Sequence, residues 1–303
     1  MANSGAPGGS RGREKGSSGR GSGARRGTGA SKGGRPSRPL RDQSRTPRAA
    51  TGRNRAAQEP AARPRSDAPR EGGTRGPRSG SAERSAVPVP EDADPTLLDR
   101  SVRSELRSLS KPTADAVARH LVVAGQLLDS DPARALAHAR AARARAGRVG
   151  VVREAVGIAA YHAGEWAEAL TELRTARRIS GDSRNLPVIA DTERALGRPE
   201  QAARTLSDPA VRRLDPETRV ELFIVVAGAR RDLGQLDAAL AVLARGGLDR
   251  DHPGPGAARL WYAYADTLEA VGRRDEAATW FAASAALDPD GELDAADRAA
   301  ALL

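Results

Sequence analysis

Two stretches decide the reading of this chain: VGIAAYHAGEWAEALTELRTAR, Val156 to Arg177, and LWYAYADTLEAVGRRDEAATWFAASAALDP, Leu260 to Pro289. In each, a run with apolar residues at threes and fours reaches a glycine, Gly164 or Gly272, and a second run of the same period follows. Aligning on that glycine extends the pattern along the chain. Gly164, Gly197, Gly234 and Gly272 are each followed five residues later by alanine, Ala169, Ala202, Ala239 and Ala277, and four residues after that by Leu173, Leu206, Leu243 or Phe281. Seven residues before each glycine stands Gly157, Ala190, Ala227 or Ala265, preceded directly by Val156, Ile189, Val226 or Tyr264. The register repeats at 33, 37 and 38 residues.

A 3.6-residue apolar period predicts helix. A glycine closing the first run supplies the left-handed backbone that ends a helix. The unit is therefore a helix, a tight turn and a second helix folded back on the first. The small residues belong where the two helices approach most closely, and the bulky one fills space against the next pair. One such pair cannot cover its apolar face, so copies are expected to stack.

This pattern resembles the tetratricopeptide repeat family, whose unit is about 34 residues long. Trp261, Ala277, Phe281 and Pro289 match its landmark positions. The stretch from Ala116 to Ala146 is a degenerate first copy, with Ser130 in place of the turn glycine and Ala135 placed 34 residues before Ala169. The third copy has a short second helix ending at Asp208-Pro209, and the inserts DPAVRRLD and GLDRDHPGPG account for the longer spacings. The resemblance implies an all-α solenoid of about five helix pairs over residues 113–290. A short lead-in helix over 96–111, stopping at Lys111-Pro112, is expected before it. A solvating end helix is expected over 291–303.

Outside the repeats the composition changes sharply. Residues 1–90 hold 20 of the 49 Lys and Arg but only 6 of the 39 Asp and Glu, a net charge of +14, so the remainder carries −4. They also hold 17 of the 32 glycines and 10 of the 20 prolines, with no aromatic residue and few large apolar ones. So little apolar surface cannot offset an ordering entropy of about 1–2 kcal/mol per residue, and residues 1–92 read as a disordered basic tail. Arginine outnumbers lysine 46 to 3, as GC-rich bacterial coding would produce.

The composition and spacing speak against several chemistries. There is no cysteine, which excludes disulfide scaffolds, thiolate metal sites and cysteine nucleophiles. No apolar leader is visible near Met1, and the run Leu222 to Ala229 is far shorter than the roughly 20 residues of a membrane span, so a soluble cytoplasmic protein is expected. The histidines His120, His138, His162 and His252 never stand at helical ligand spacing, and no metal or other cofactor is expected. GSGARRG in the tail lacks the strand and helix that flank a phosphate-binding loop. Glu165, Glu168 and Glu172 read as a solvated face paired with arginines one turn away. No nucleophile, base and orienting partner stand together, and the chain is read as having no catalytic activity.

Binding is what remains. The resemblance implies a concave surface lined by the first helix of each pair. Counting back three, six and ten residues from each turn glycine selects Glu154, Ile158 and Tyr161; Pro187, Asp191 and Arg194; Ile224, Gly228 and Arg231; and Tyr262, Asp266 and Glu269. Tyrosines and arginines presented together are typical anchors, so Tyr161, Arg194, Arg231, Tyr262 and Asp266 are the candidate contacts for a protein partner. Arg140 and Arg174 are expected on second-helix surfaces, away from it. The alternative reading is a factor associated with nucleic acid or the ribosome. There the basic tail attracts phosphates with steep salt dependence but no aromatic side chain to stack on bases.

Overall fold

The computed structural model describes residues 87, 88 and 92–303, and the expectation of a disordered basic tail lies outside these apart from its last positions. Among the described residues the chain forms an all-helical domain of twelve α-helices with sequential helix-pair packing. The pairs are α2 (Lys111–Leu127) with α3 (Pro132–Ala146), α4 (Gly150–His162) with α5 (Trp166–Ser180), and α6 (Leu186–Ala195) with α7 (Pro199–Arg204). They continue with α8 (Pro216–Asp232) on α9 (Leu236–Ala244) and α10 (Ala257–Ala270) on α11 (Arg274–Ala286), and α12 (Ala295–Leu302) then packs on α11. A short α1 (Arg100–Leu106) precedes them.

The turns are built as the glycine spacing requires. Gly164, Gly197, Gly234 and Gly272 have φ of 76°, 72°, 70° and 82°, in the left-handed region. Ala169, Ala202, Ala239 and Ala277 are all fully buried, as is Ala135 in the first pair. Their partners across each turn are equally tight. A Cβ added to Gly157 would lie 2.6 Å from Leu173 Cγ, so α4 and α5 touch there only because the side chain is absent. Proline opens α3, α8 and α7 within the first turn, where its missing N–H is no loss. Asp131 and Asp215 cap α3 and α8 by accepting from the Arg134 and Thr218 amides.

Three boundaries differ from expectation. The lead-in segment is not one helix over 96–111 but a 3-10 turn, Pro95–Leu97, followed by α1. Lys111 and Pro112 begin α2 rather than ending a helix, because proline is tolerated in a first turn as readily as it terminates a last one. The end helix covers only Ala295–Leu302, and Gly291, at φ 63°, belongs to the turn before it.

Apolar packing is handed along the chain in overlapping clusters. One joins α1 to α2 and α4 through Leu106, Val117, Val122 and Val152, and another joins α6 to α10 through Leu186, Leu222, Leu243 and Trp261. The junction between α5 and α6 is thinner, a cluster of three buried residues, Leu170, Leu173 and Ile189. Polar bonds cross where apolar surface is scarce. Arg174 binds Glu193, Arg184 binds Glu154, and Arg177 binds Asp208 at 2.7 Å.

Candidate functional site

The stripe chosen from the sequence is a physical row, and its residues reach from each first helix to the next. Tyr161 of α4 donates its hydroxyl to Asp191 of α6. Arg194, one turn further along α6, holds Asp191 at 2.9 Å through Nη1 and Asp232 of α8 at 2.8 Å through Nε. Arg231 of α8 binds Asp266 of α10. Beyond it, Arg298 of α12 binds Asp266 at 2.8 Å and also Glu269, while the Tyr262 hydroxyl donates to Asp294 at 2.5 Å. Five helices are thus linked by one ladder of charged and phenolic groups.

The ladder explains one residue that breaks a helix rule. Glycine costs about 1 kcal/mol in a helix interior relative to alanine, yet Gly228 sits inside α8. The Arg194 guanidinium lies over it, and a Cβ at Gly228 would stand 2.7 Å from Arg194 Cζ. Arg298 in turn lies over the Phe281 ring at 4.3 Å and beside Tyr262 at 5.6 Å, a cation–π seat that adds to its ion pairs.

These surroundings shift the titratable groups. Burial, with Asp191 beside it, pushes the Tyr161 phenol well above its ordinary range, and burial does the same more mildly at Tyr262, helped by Asp294. Burial works against the Arg194 charge, but the bonds to Asp232 and Asp191 more than offset it. Arg298 follows the same pattern, with Glu269, Tyr262 and Asp266 as its partners. The stripe is therefore a set of locked charges, not a row of free anchors.

Tyr161 is a core side chain and not a surface anchor. It is 6% exposed, packs edge-on against Trp166 at 5.4 Å between ring centres, and belongs to the apolar cluster of α2 to α5. Its truncation cannot leave the core intact, because a residue three before the turn glycine points partly into the neighbouring pair. Tyr262, Arg194, Arg231 and Asp266 are half-buried. Arg140 and Arg174 lie on α3 and α5, exposed as expected, though both are engaged by carboxylates, Glu168 and Glu193.

The glutamates of α5 also depart from expectation. Glu165 is exposed, but Glu172 is only 4% exposed and binds Arg143 of α3 at 2.5 Å and Arg153 of α4 at 2.9 Å. Glu168 binds Arg140 and Arg143, and the Arg140 bonds hold its carboxyl below the usual range. These pairs span helices and not turns of one helix, so neighbour spacing could not reveal them.

The histidine spacing likewise concealed a contact. His120 and His138, on α2 and α3, meet in the interior with their Nδ1 atoms 3.2 Å apart. Among the described residues no three His, Asp or Glu side chains gather in a way that could hold a metal ion, and no helix is long and apolar enough to cross a membrane. A polar hollow of about 230 Å³ lies between the α5–α6 turn and the start of α8. Its Ser183 hydroxyl accepts from Arg177 Nε at 3.1 Å. No protein-family model and no curated protein matches this chain.

Proposed function

We propose that this chain is a non-catalytic protein-binding scaffold, an α-solenoid of five tetratricopeptide-like helix pairs whose first helices form the docking surface. The observation that carries the reading is the ladder from Tyr161 to Arg298, a row of aromatic and charged groups, half-buried beyond the buried Tyr161, that crosses α4, α6, α8, α10 and α12. Locked side chains meet a partner without the ordering cost that free Arg or Tyr side chains would incur, of about 0.5–1.5 kcal/mol each. The left-handed turn glycines and the buried alanines at a constant offset from them support the repeat register. A second reading rests on the net +14 of residues 1–90, which favours contact with a nucleic acid or the ribosome.

Site-specific photocrosslinking separates the two. A photoreactive side chain at Ile224 or Glu269 on the ladder face should capture a protein partner in nuclease-treated extract, whereas one at Arg178 or Gln201, exposed on second helices, should not. Capture only at Arg178 or Gln201 would move the interaction to the other face. RNA recovered in a nuclease-sensitive and salt-sensitive way, and lost on deleting residues 1–90, would favour the second reading.

A further inference from the structure

The contact between His120 and His138 is unlike the other polar contacts in this fold. Both rings are buried, at 0% and 3% exposure, between two helices whose surroundings are apolar: Leu121, Ala124, Ala135 and Ala139. The rings are tilted by 52° with centres 5.4 Å apart, and Nδ1 faces Nδ1 at 3.2 Å. Two nitrogens at that distance need one hydrogen between them. Among the described residues the His120 Nε2 has no hydrogen-bond partner. With the hydrogen on His120 Nδ1, Nε2 carries only a lone pair. With the hydrogen on His138, Nε2 must carry a buried N–H with no acceptor. The first arrangement is the less costly, since an orphaned buried donor is the rarer feature.

The pair is thus satisfied only while both rings are neutral. A proton added to His120 puts a charged N–H in a site without an acceptor. A second proton, on His138, sets two Nδ1–H groups against each other and removes the bond. Among the described residues no carboxylate compensates the pair. The charged groups acting on it are Arg145 for His120 and Arg134 for His138, both on α3 and both of the wrong sign. The carboxylates of the neighbouring elements are occupied elsewhere: Glu105 of α1 accepts from the Val151 amide, and Glu154 of α4 holds Arg184. His162, at the end of α4, faces Asp129 of the α2–α3 turn at 3.8 Å.

We propose that the His120–His138 contact is an acid-operated latch, which holds α2 against α3 when both rings are neutral and releases that first helix pair when they are protonated. Burial is the main reason that both rings resist protonation, His120 being pushed down to about 4. Free histidine titrates near 6.5. A folded value below the unfolded one means that stability is full above about pH 6.5 and is lost as the pH falls toward 4, because the open state takes up the proton first. Proton uptake at the His120 site alone then raises the opening equilibrium by up to about tenfold per pH unit in that window, and His138, shifted in the same direction, adds to it. Opening uncovers the face of α4 that α2 and α3 protect, beginning with Val152 and Val156.

Hydrogen exchange of the full chain between pH 7.5 and 4.5, corrected for the intrinsic rate, tests this. Protection over residues 111–146 should fall at least tenfold more than protection over 257–286. The double variant His120→Leu/His138→Leu, which removes both partners together, should lose that difference. Any contribution of His162 remains in the double variant and is subtracted by the comparison. Equal loosening of both segments, or acid opening of 111–146 that is as large in the double variant as in the unaltered protein, overturns the latch. Should the double variant not fold, imidazole NMR of the unaltered protein decides. The His120 ring should stay neutral until the 111–146 amides lose protection, whereas titration near 6.5 in a closed pair refutes the proposal.

Discussion

The guanidinium of Arg194 lies against the backbone of Gly228, close enough that a methyl group there would meet its Cζ at 2.7 Å. The helix propensity that α8 gives up at Gly228 is exchanged for a bridge from Asp191 on α6 to Asp232 on the last turn of α8. Since the obstructing atoms are the far end of a flexible side chain, the relationship can be broken without moving a helix.

Gly228→Ala should therefore act differently in two backgrounds. In the unaltered protein the gain of about 1 kcal/mol in helix propensity is largely offset by expelling Arg194 from its bonds. With Arg194→Ala already present, the full gain should appear in urea unfolding. Equal effects in both backgrounds would mean that Arg194 does not rest on Gly228.

Gly157→Ala should behave in the opposite way. Its Cβ would meet Leu173 Cγ at 2.6 Å, Cδ2 at 2.8 Å and the Leu173 backbone nitrogen at 3.0 Å, and backbone cannot step aside. A loss of about 1–3 kcal/mol is expected from overpacking, despite the better helix former. Ala202→Phe and Ala277→Phe, at fully buried positions, should cost at least as much. Melting temperatures at the parent value would show that the helix pairs do not meet at these seams.

The two tyrosines of the ladder should separate on truncation. Tyr161→Ala removes a buried ring and should cost about 3 kcal/mol or more. Tyr161→Phe loses only the bond to Asp191, about 1 kcal/mol. Tyr262→Ala should cost clearly less than Tyr161→Ala, because that ring is half-exposed and Arg298 keeps Phe281, Asp266 and Glu269. Thermal unfolding of the three variants measures this, and equal losses for the two alanine variants would contradict the difference in burial.

Acid should weaken the start of α8 through Asp215. The bonds it accepts from Thr218 hold its carboxyl below the ordinary range. A depressed value means that the stabilisation is present above the unfolded value, near 3.9, and is lost as the pH falls through the folded one. Asp215→Asn keeps a cap without a titrating group, so it should flatten this part of the stability profile below pH 4. Asp215→Ala should lose about 1 kcal/mol at neutral pH. An unchanged acid limb in the asparagine variant would exclude Asp215 as its source.

The helix pairs were legible because their determinants are local. A turn glycine that must adopt positive φ and an alanine five residues on constrain the backbone within one unit, whatever the neighbours do. Pro112 is ambiguous in the sequence because proline at a helix boundary marks a start and a stop alike, and in the structure it opens α2. The stripe positions were also legible, since three, six and ten residues before a glycine fall on one side of a helix.

Local spacing therefore accounts for the all-helical character, the pairing of consecutive helices and the seams where Ala169, Ala202, Ala239 and Ala277 lie. Which polar groups meet depends on how the helices pack. Arg194 finds Asp232 at a separation of 38 residues, Arg153 finds Glu172 at 19, and His120 finds His138 at 18. Such pairings depend on how far one helix is offset and rotated against the next, which the summed packing of both faces sets and no local period records. The same rotation buries Tyr161 and leaves Tyr262 half-open, although both stand on the one stripe.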